Sequence, residues 1–307
     1  MRDEFYYAEY DKNSPETPLS RKPRIDINLP FYECRYDYSF AGSCNGLICI
    51  DSWHNDRFGP TYIFNPVTRE YITLPKFEGN YWWTGFGYIP STNEYKVVRV
   101  YDTINVRTIH VYTLGSSNGY RNVGNMDRMP FYRKYAGVFA HGALHWADDE
   151  GTILAFDLTD EKGFRRFLSD TYCRDALHGE IWLLKRNKDN YDDLRWSKEF
   201  SFDICTLRSS PPFGLMKSGR LLCYENHKIY GYDTETSSAI MDVDFGKSIT
   251  NAIPHKNTLV SLKILGEKDA KTMESGEIES SSKETETNDS IESGERASSS
   301  EETENSD

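Results

Sequence analysis

Tyr62 Ile63 Phe64 Asn65 Pro66 Val67 Thr68 is an alternating aromatic strand closed by an Asn, with a Thr shortly after, and the phrase returns along the chain. It reads Leu154 Ala155 Phe156 Asp157 Leu158 Thr159, then Phe200 Ser201 Phe202 Asp203 with Thr206, then Ile229 Tyr230 Gly231 Tyr232 Asp233 with Thr236. A looser copy is Ile109 His110 Val111 Tyr112 Thr113 Leu114. With Asn65, Thr113, Asp157, Asp203 and Asp233 as equivalent points, the steps are 48, 44, 46 and 30 residues. That is the range in which a propeller blade repeats. The expected fold is all-β and β-propeller-like (kelch-like), a set of repeated antiparallel sheets.

Alternation puts every second side chain on one face, so Tyr62 and Phe64 are expected between sheets with Ile63 facing the other way. The closing Asn or Asp can bond its own backbone two residues on and start a turn. A glycine-led element precedes most copies: Asn45 Gly46 Leu47 Ile48 Cys49, His141 Gly142 Ala143 Leu144 His145 Trp146, His178 Gly179 Glu180 Ile181 Trp182, and Ser218 Gly219 Arg220 Leu221 Leu222 Cys223. Gly suits a tight turn there, and the apolar residues after it are read as the inner strand of the same sheet. Two strands per repeat are visible; a third or fourth is inferred.

These residues also carry a family resemblance. Gly42 Ser43 Cys44 Asn45 Gly46 Leu47 Ile48 Cys49, Phe64 Asn65 Pro66 Val67 Thr68 Arg69 with Leu74 Pro75, Gly85 Phe86 Gly87 Tyr88, and Asn93 Glu94 Tyr95 Lys96 Val97 Val98 Arg99 follow one another in order. Gly142 Ala143 Leu144 His145 Trp146, Ile153 to Asp157, Glu180 Ile181 Trp182 and Trp196 to Phe200 continue it. From about Ser43 to Leu262 the succession resembles the plant F-box-associated domain, in its S-locus F-box-like or F-box-kelch form. The resemblance implies a non-catalytic substrate receptor: an F-box docks on the Skp-type adaptor of a cullin (SCF-type) ubiquitin ligase, and the associated domain holds the target protein. Residues 1–42 contain no Leu-Pro-rich helical stretch of the F-box kind and resemble the variable link that follows it. Adaptor and cullin would then be reached only through an F-box upstream or on a separate chain. The alternatives are a stand-alone binding or decoy protein and a degenerate gene product. The short interval from Phe167 to Gly179, where the family has a further strand pair, bears on the last of these.

Domain organisation follows: 1–42 as linker and first strand region, 43–265 as the propeller-like domain, and 266–307 as a disordered acidic tail rich in Ser and Glu. The tail carries fourteen acidic and four basic residues out of 48 and 36 in the chain, so the body, 34 against 32, is close to neutral. A negative tail repels phosphates and a neutral body offers no basic stripe, so nucleic acid is not an expected partner. Ser281 and Ser298 each have a Glu three residues on, the spacing acidophilic kinases favour. No run reaches the ~20 apolar residues of a membrane span, and the first ten residues lack a signal-peptide order. The six cysteines are scattered without a CxxC pair. A cytoplasmic or nuclear protein with reduced thiols is expected.

No catalytic, cofactor or metal site is read from the sequence. His141 and His145 have helical ligand spacing, but Gly142, Leu144 and Trp146 argue for strand, and no HExxH follows. Cys44 and Cys49 lack a second pair at finger spacing. There is no nucleophile elbow, P-loop or dinucleotide fingerprint. An enzyme acting on carbohydrate in a propeller funnel would need clustered carboxylates on the inner strands, where Leu, Ile, Cys and Trp stand instead. Gly85 Phe86 Gly87 is read as a turn.

Binding residues are easier to nominate. Aromatics make up 14% of the chain, and rigid aromatics are favoured interface anchors. Tyr81, Trp82 and Trp83 follow Gly79 Asn80 and are read as a loop at one end of the ring, either as a partner-binding cluster or with Trp83 packed beneath the next blade. Arg57 and Phe58, and the segment from Tyr120 to Tyr135, are further candidate loops, and Lys185 to Arg195 is read as a hairpin tip. Asn257 to Leu262 alternates and is expected to pair with the first sheet near Gly46 to Ile50, closing the ring.

Overall fold

The computed structural model describes residues 6, 8–9, 20–21, 37–54, 57–76, 81–102, 106–126, 135–147, 153–162, 164–167, 178–186, 194–203, 212–216, 218–233, 236 and 238–273. Among them every regular element is a β-strand. A short pair, β1 (Ala8–Glu9) and β2 (Ser20–Arg21), precedes the repeats. The first sheet is an antiparallel meander of β3 (Asp37–Cys44), β4 (Leu47–His54), β5 (Arg57–Phe64) and β6 (Glu70–Thr73). The second is β7 (Tyr81–Ile89), β8 (Glu94–Asp102), β9 (Arg107–Thr113) and β10 (Arg121–Met126). The third is β11 (Tyr135–Ala140), β12 (Ala143–Ala147), β13 (Ile153–Asp157) and β14 (Phe164–Phe167), joined to the second through the β7 and β11 edge into one continuous eight-stranded array. β15 (His178–Arg186) pairs with β16 (Leu194–Asp203), and β17 (Gly214–Leu215), β18 (Leu221–Glu225), β19 (Lys228–Asp233) and β20 (Ser238–Asp244) make the last four-stranded sheet.

The recurrent phrase is the third strand of its sheet in β5, β9, β13 and β19. The closing residue works as its chemistry predicts. Asn65 Oδ1 accepts from Val67 N at 2.8 Å, Asp157 Oδ1 from Thr159 N at 2.8 Å, and Asp233 Oδ1 from Thr236 N at 3.1 Å. The glycine-led elements at Gly46, Gly142 and Gly219 are the second strands of their sheets, not the innermost, while Gly179 lies within β15, the first strand of its pair. Asn45 and Gly46 (φ 41° and 90°) and His141 and Gly142 (φ 48° and 80°) make the turn from the first strand into the second. The first strands are the ones that meet: β7 pairs parallel with β11, Tyr135 opposite Trp83 and Gly137 opposite Gly85, and β3 lies against both.

Gly85 and Gly87 therefore stand inside β7 and not in a turn. A Cβ on Gly85 would come within 2.8 Å of Leu144 and Trp146, and one on Gly137 within 2.5 Å of Trp146. The strand gives up side chains so that the neighbouring sheet can press against its backbone.

The core lies between consecutive sheets. Tyr62 and Phe64 join Ile48, Ile50, Tyr71 and Met273 on one face of the first sheet. Ile63, Cys49 and Leu47 face the second sheet's Phe86, Tyr95, Val97 and Tyr112 on the other. The second sheet's opposite face sets Trp83, Val98, Val100 and Val111 against Leu144, Trp146, Leu154 and Phe156 of the third. The first and second sheets thus bury both faces, the arrangement of a β-propeller-like fold.

The closing segment departs from expectation. Residues 257–262 form no ladder; side chains of the first sheet hold their backbone instead. Asn65 Nδ2 donates to the carbonyls of Thr258 (3.1 Å) and Val260 (2.7 Å), and Leu262 N donates to Glu70 Oε2 at 2.6 Å. The strand that joins the first sheet comes later: β21 (Lys271–Thr272) pairs with β6, Lys271 opposite Tyr71. The folded body accordingly does not stop at 265. Glu267 Oε1 accepts from Tyr112 OH (3.0 Å) and Gly115 N (2.7 Å), and Met273 is buried, its N–H donating to Arg69 O at 2.8 Å. The compact unit runs to Ser275. Ser281 and Ser298 lie outside the described residues, as does the interval 168–177.

Candidate protein-interaction site

Antiparallel meanders give the sheets two unlike ends. One end carries the tight turns: Asn45–Gly46, the Asn65 to Arg69 turn, Asn93 and His141–Gly142. The segment from His255 to Met273, which we call the clasp, runs over it, bonded to Asn45, Asn65 and Glu70. The other end carries the β4 to β5 and β8 to β9 hairpins, the start of β7 and the start of β11. The sequence-nominated aromatics fall here.

Arg57 pairs opposite His54 and Phe58 opposite Trp53 at the hairpin, with Trp53 and Phe58 half-buried. Tyr81 to Trp83 open β7; they are strand, not loop, with β8 along one side and, from Trp83 on, β11 along the other. Tyr81 lies opposite Tyr101 of β8, and Trp83 opposite Val100 on one side and Tyr135 on the other. Trp83 is buried and stacks on Trp146, so it is a core residue and not an exposed anchor. Beside them on β8 and β9, the Tyr101 ring meets His110 edge-on with centroids 6.3 Å apart, and Thr108 Oγ1 lies 2.9 Å from His110 Nε2. Burial lowers the His110 pKa, keeping the ring neutral near pH 7. Arg121 opens β10 with its backbone in the ladder, so that part of the nominated segment from Tyr120 is also strand. Lys185 lies opposite Arg195 in the β15 and β16 ladder, and the expected tip at 187–193 lies outside the described residues.

Beneath this end sits a buried charge pair that sequence reading missed. Arg99 of β8 reaches across to the first sheet, its Nη2 3.3 Å from Asp51 Oδ1 and bonded to Thr61 Oγ1, while the Thr61 hydroxyl donates to Asp51. The guanidinium also lies over the Tyr120 ring, 5.0 Å from its centroid. Asp51 interrupts the apolar run Leu47 to Ile50, and that interruption was the available signal. A second lock ties the second and third sheets: buried Lys96 Nζ donates to Leu158 O (2.9 Å) and pairs with Glu161 Oε1 (2.7 Å), which Arg121 also holds. Both locks join sheets, and in each the bridging cation, Arg99 or Lys96, is buried against its partner.

Among the described residues, no group of three or more His, Cys, Asp or Glu is placed to hold a metal. His141 sits in a turn, and His145 is buried on β12 with Nδ1 3.3 Å from Val138 O, its pKa lowered by burial. Burial pushes the Cys44 and Cys49 thiols well up, so neither offers a thiolate. No helix among the described residues is long and apolar enough to cross a membrane.

An all-β, propeller-like body with hairpins and aromatics gathered at one end defines a protein-interaction module. Residues 5–169 match the F-box associated beta propeller domain, and the chain belongs to that family. The chain is similar to an F-box protein of Arabidopsis thaliana, 25% identical over 170 residues that make up 44% of this chain and 40% of the relative. It is also similar to an F-box/LRR-repeat/kelch-repeat protein of the same plant, 32% identical over 149 residues, 41% of this chain and 38% of the relative. A further Arabidopsis F-box protein is 30% identical over 166 residues, 47% of this chain and 37% of the relative. The chain thus spans well under half the length of these relatives.

Proposed function

We propose that this chain is the target-binding part of a cullin-type ubiquitin-ligase receptor, and that it holds its target at the end formed by the β4 to β5 hairpin and the start of β7. It performs no bond chemistry of its own. The observation that carries the reading is the unlike character of the two ends. The clasp covers the end with the Asn45–Gly46 and His141–Gly142 turns, and the β4 to β5 hairpin with half-buried Trp53 and Phe58 lies at the other, free of the clasp, where a rigid scaffold can present interface anchors. Target selection for ubiquitination, with contact to a Skp-type adaptor and cullin through an F-box, extends this from the family. The setting would be cytoplasm or nucleus.

A photo-crosslinking residue at position 58 tests it. The complete reading frame of the gene carrying that residue is expressed in plant cells with the adaptor either present or depleted. The expected result is a small set of captured proteins whose abundance rises when the adaptor is depleted. Captured proteins whose turnover ignores the adaptor would leave a binding protein without a ligase role.

A further inference from the structure

The clasp presents a second surface, at the opposite end from the aromatic cluster and independent of the reading above. Its backbone is held by Asn65, Glu70 and, through Glu267, by Tyr112 and Gly115. Leu262 and Ala270 point inward and are buried. Two large aliphatic side chains point out: Leu259 is 81% exposed and Ile264 87%, with Val67 of the adjoining turn at 43%. Along the same segment and turn Arg69, Lys256, Lys263, Lys268 and Lys271 are exposed. The carboxylates of Glu70 and Glu267 are turned inward to bond the fold, which leaves Asp269 as the exposed acid of the clasp. A body of nearly balanced charge therefore carries a locally cationic segment that also exposes large aliphatic side chains.

We propose that this surface docks an acidic polypeptide segment carrying two or three aliphatic side chains. The apolar knobs supply the anchor, and the ammonium and guanidinium groups of the same segment and turn select carboxylates on either side. Because tertiary hydrogen bonds fix the clasp backbone, little chain ordering accompanies binding, which favours even a small contact. The complementary charge argues for an acidic protein segment; an anionic membrane surface is the competing occupant.

The test uses the full chain, immobilised, with a display library of random sixteen-residue peptides, counter-selected on an Ile264→Ser variant. The expected result is a set of peptides in which Asp and Glu flank Leu, Ile or Val. They should bind the wild type, lose about tenfold or more in affinity on Ile264→Ser and on Lys263→Glu, and weaken with rising salt. Both substituted side chains are exposed, so thermal melting of the variants is expected to match the wild type, and a matched melt with lost binding isolates the surface. Selected peptides without acidic bias, or unaffected by either variant, would overturn the proposal. So would a failure to select peptides combined with Lys263-dependent binding to vesicles of phosphatidylserine, since that assigns the surface to lipid.

Discussion

The indole rings of Trp83 and Trp146 lie nearly parallel, centroids 5.6 Å apart and planes inclined by 9°, although 63 positions separate them in sequence. The stack joins the second sheet to the third, and Gly85 and Gly137 make room for it. Trp146→Ala should therefore cost about 3 to 5 kcal/mol, the usual range for emptying a large aromatic site. Gly137→Ala should cost about 1 to 3 kcal/mol by overpacking against Trp146. Urea denaturation followed by circular dichroism measures both. A Gly137→Ala variant as stable as wild type would show that the sheets can part without penalty.

Arg99 and Asp51 are worth more apart than together. Removing one partner leaves a buried charge, so Arg99→Met or Asp51→Leu alone should destabilise by about 3 to 5 kcal/mol. The double variant should recover a large part of that loss, because no charge is then stranded. A double-mutant cycle by chemical denaturation gives the coupling, and strictly additive losses would mean that the pair does not bridge the two sheets energetically.

The clasp predicts an asymmetry between two truncations. Ending the chain after Leu265 removes the Glu267 bonds to Tyr112 and Gly115, the buried Ala270 and Met273, and the Lys271–Thr272 ladder; several kcal/mol should go with them. Ending it after Ser275 should change stability by no more than about 0.5 kcal/mol. Thermal melting of the two proteins settles where the folded body stops.

The misplacement of that boundary shows what the sequence could and could not reveal. Third strands were legible because Tyr62, Phe64 and Phe156 alternate with a second apolar set and end on an Asx turn. Second strands were legible from Gly46, Gly142 and Gly219. First strands were not: β7 is buried on both faces and carries Gly85 and Gly87, which locally read as a turn although the neighbouring sheet requires them. Asn257 to Leu262 alternates like a strand, yet the side chains of Asn65 and Glu70, distant in sequence, take its backbone bonds. Residues 266–273 look like the start of a Glu-rich tail, and only tertiary contact marks Glu267 and Met273 as part of the body. At the candidate site Arg57 and Phe58 read as a loop although they begin β5, Trp53 was not singled out, and the Arg99 and Asp51 pair beneath them needed two sheets to be superposed.

Three histidines give the fold an acid limit. Burial lowers the pKa of His145, His255 and His110 from the ordinary value of 6.5. His255 Nδ1 also lies 2.8 Å from Ser43 Oγ, tying the clasp to β3. A base that is harder to protonate when folded leaves the unfolded chain binding more protons, so stability falls as pH drops below about 6.5 and levels off once pH passes the folded values. The urea midpoint should therefore be flat from pH 7 to 8 and decline from about pH 6.5 downward, with His145→Gln reducing the slope. A slope unchanged in a triple His variant would assign the acid limit to carboxylates.

The two aromatic groups at the candidate site should separate into binding and folding. Trp53 and Phe58 are half-buried on a hairpin tip, where truncation exposes little core, so Trp53→Ser with Phe58→Ser should leave the melting temperature within a few degrees of wild type. Trp83 is 1% exposed and locked against Trp146, so Trp83→Ala should lose about 3 to 5 kcal/mol of stability. If the hairpin end holds the target, the first variant loses crosslinked partner while remaining folded, because truncated interface anchors commonly cost about 2 kcal/mol or more. The second variant loses partner only in proportion to its unfolded fraction, and cooling it should restore capture. Capture that survives the hairpin variant at full folding would move the target site away from this end of the sheets.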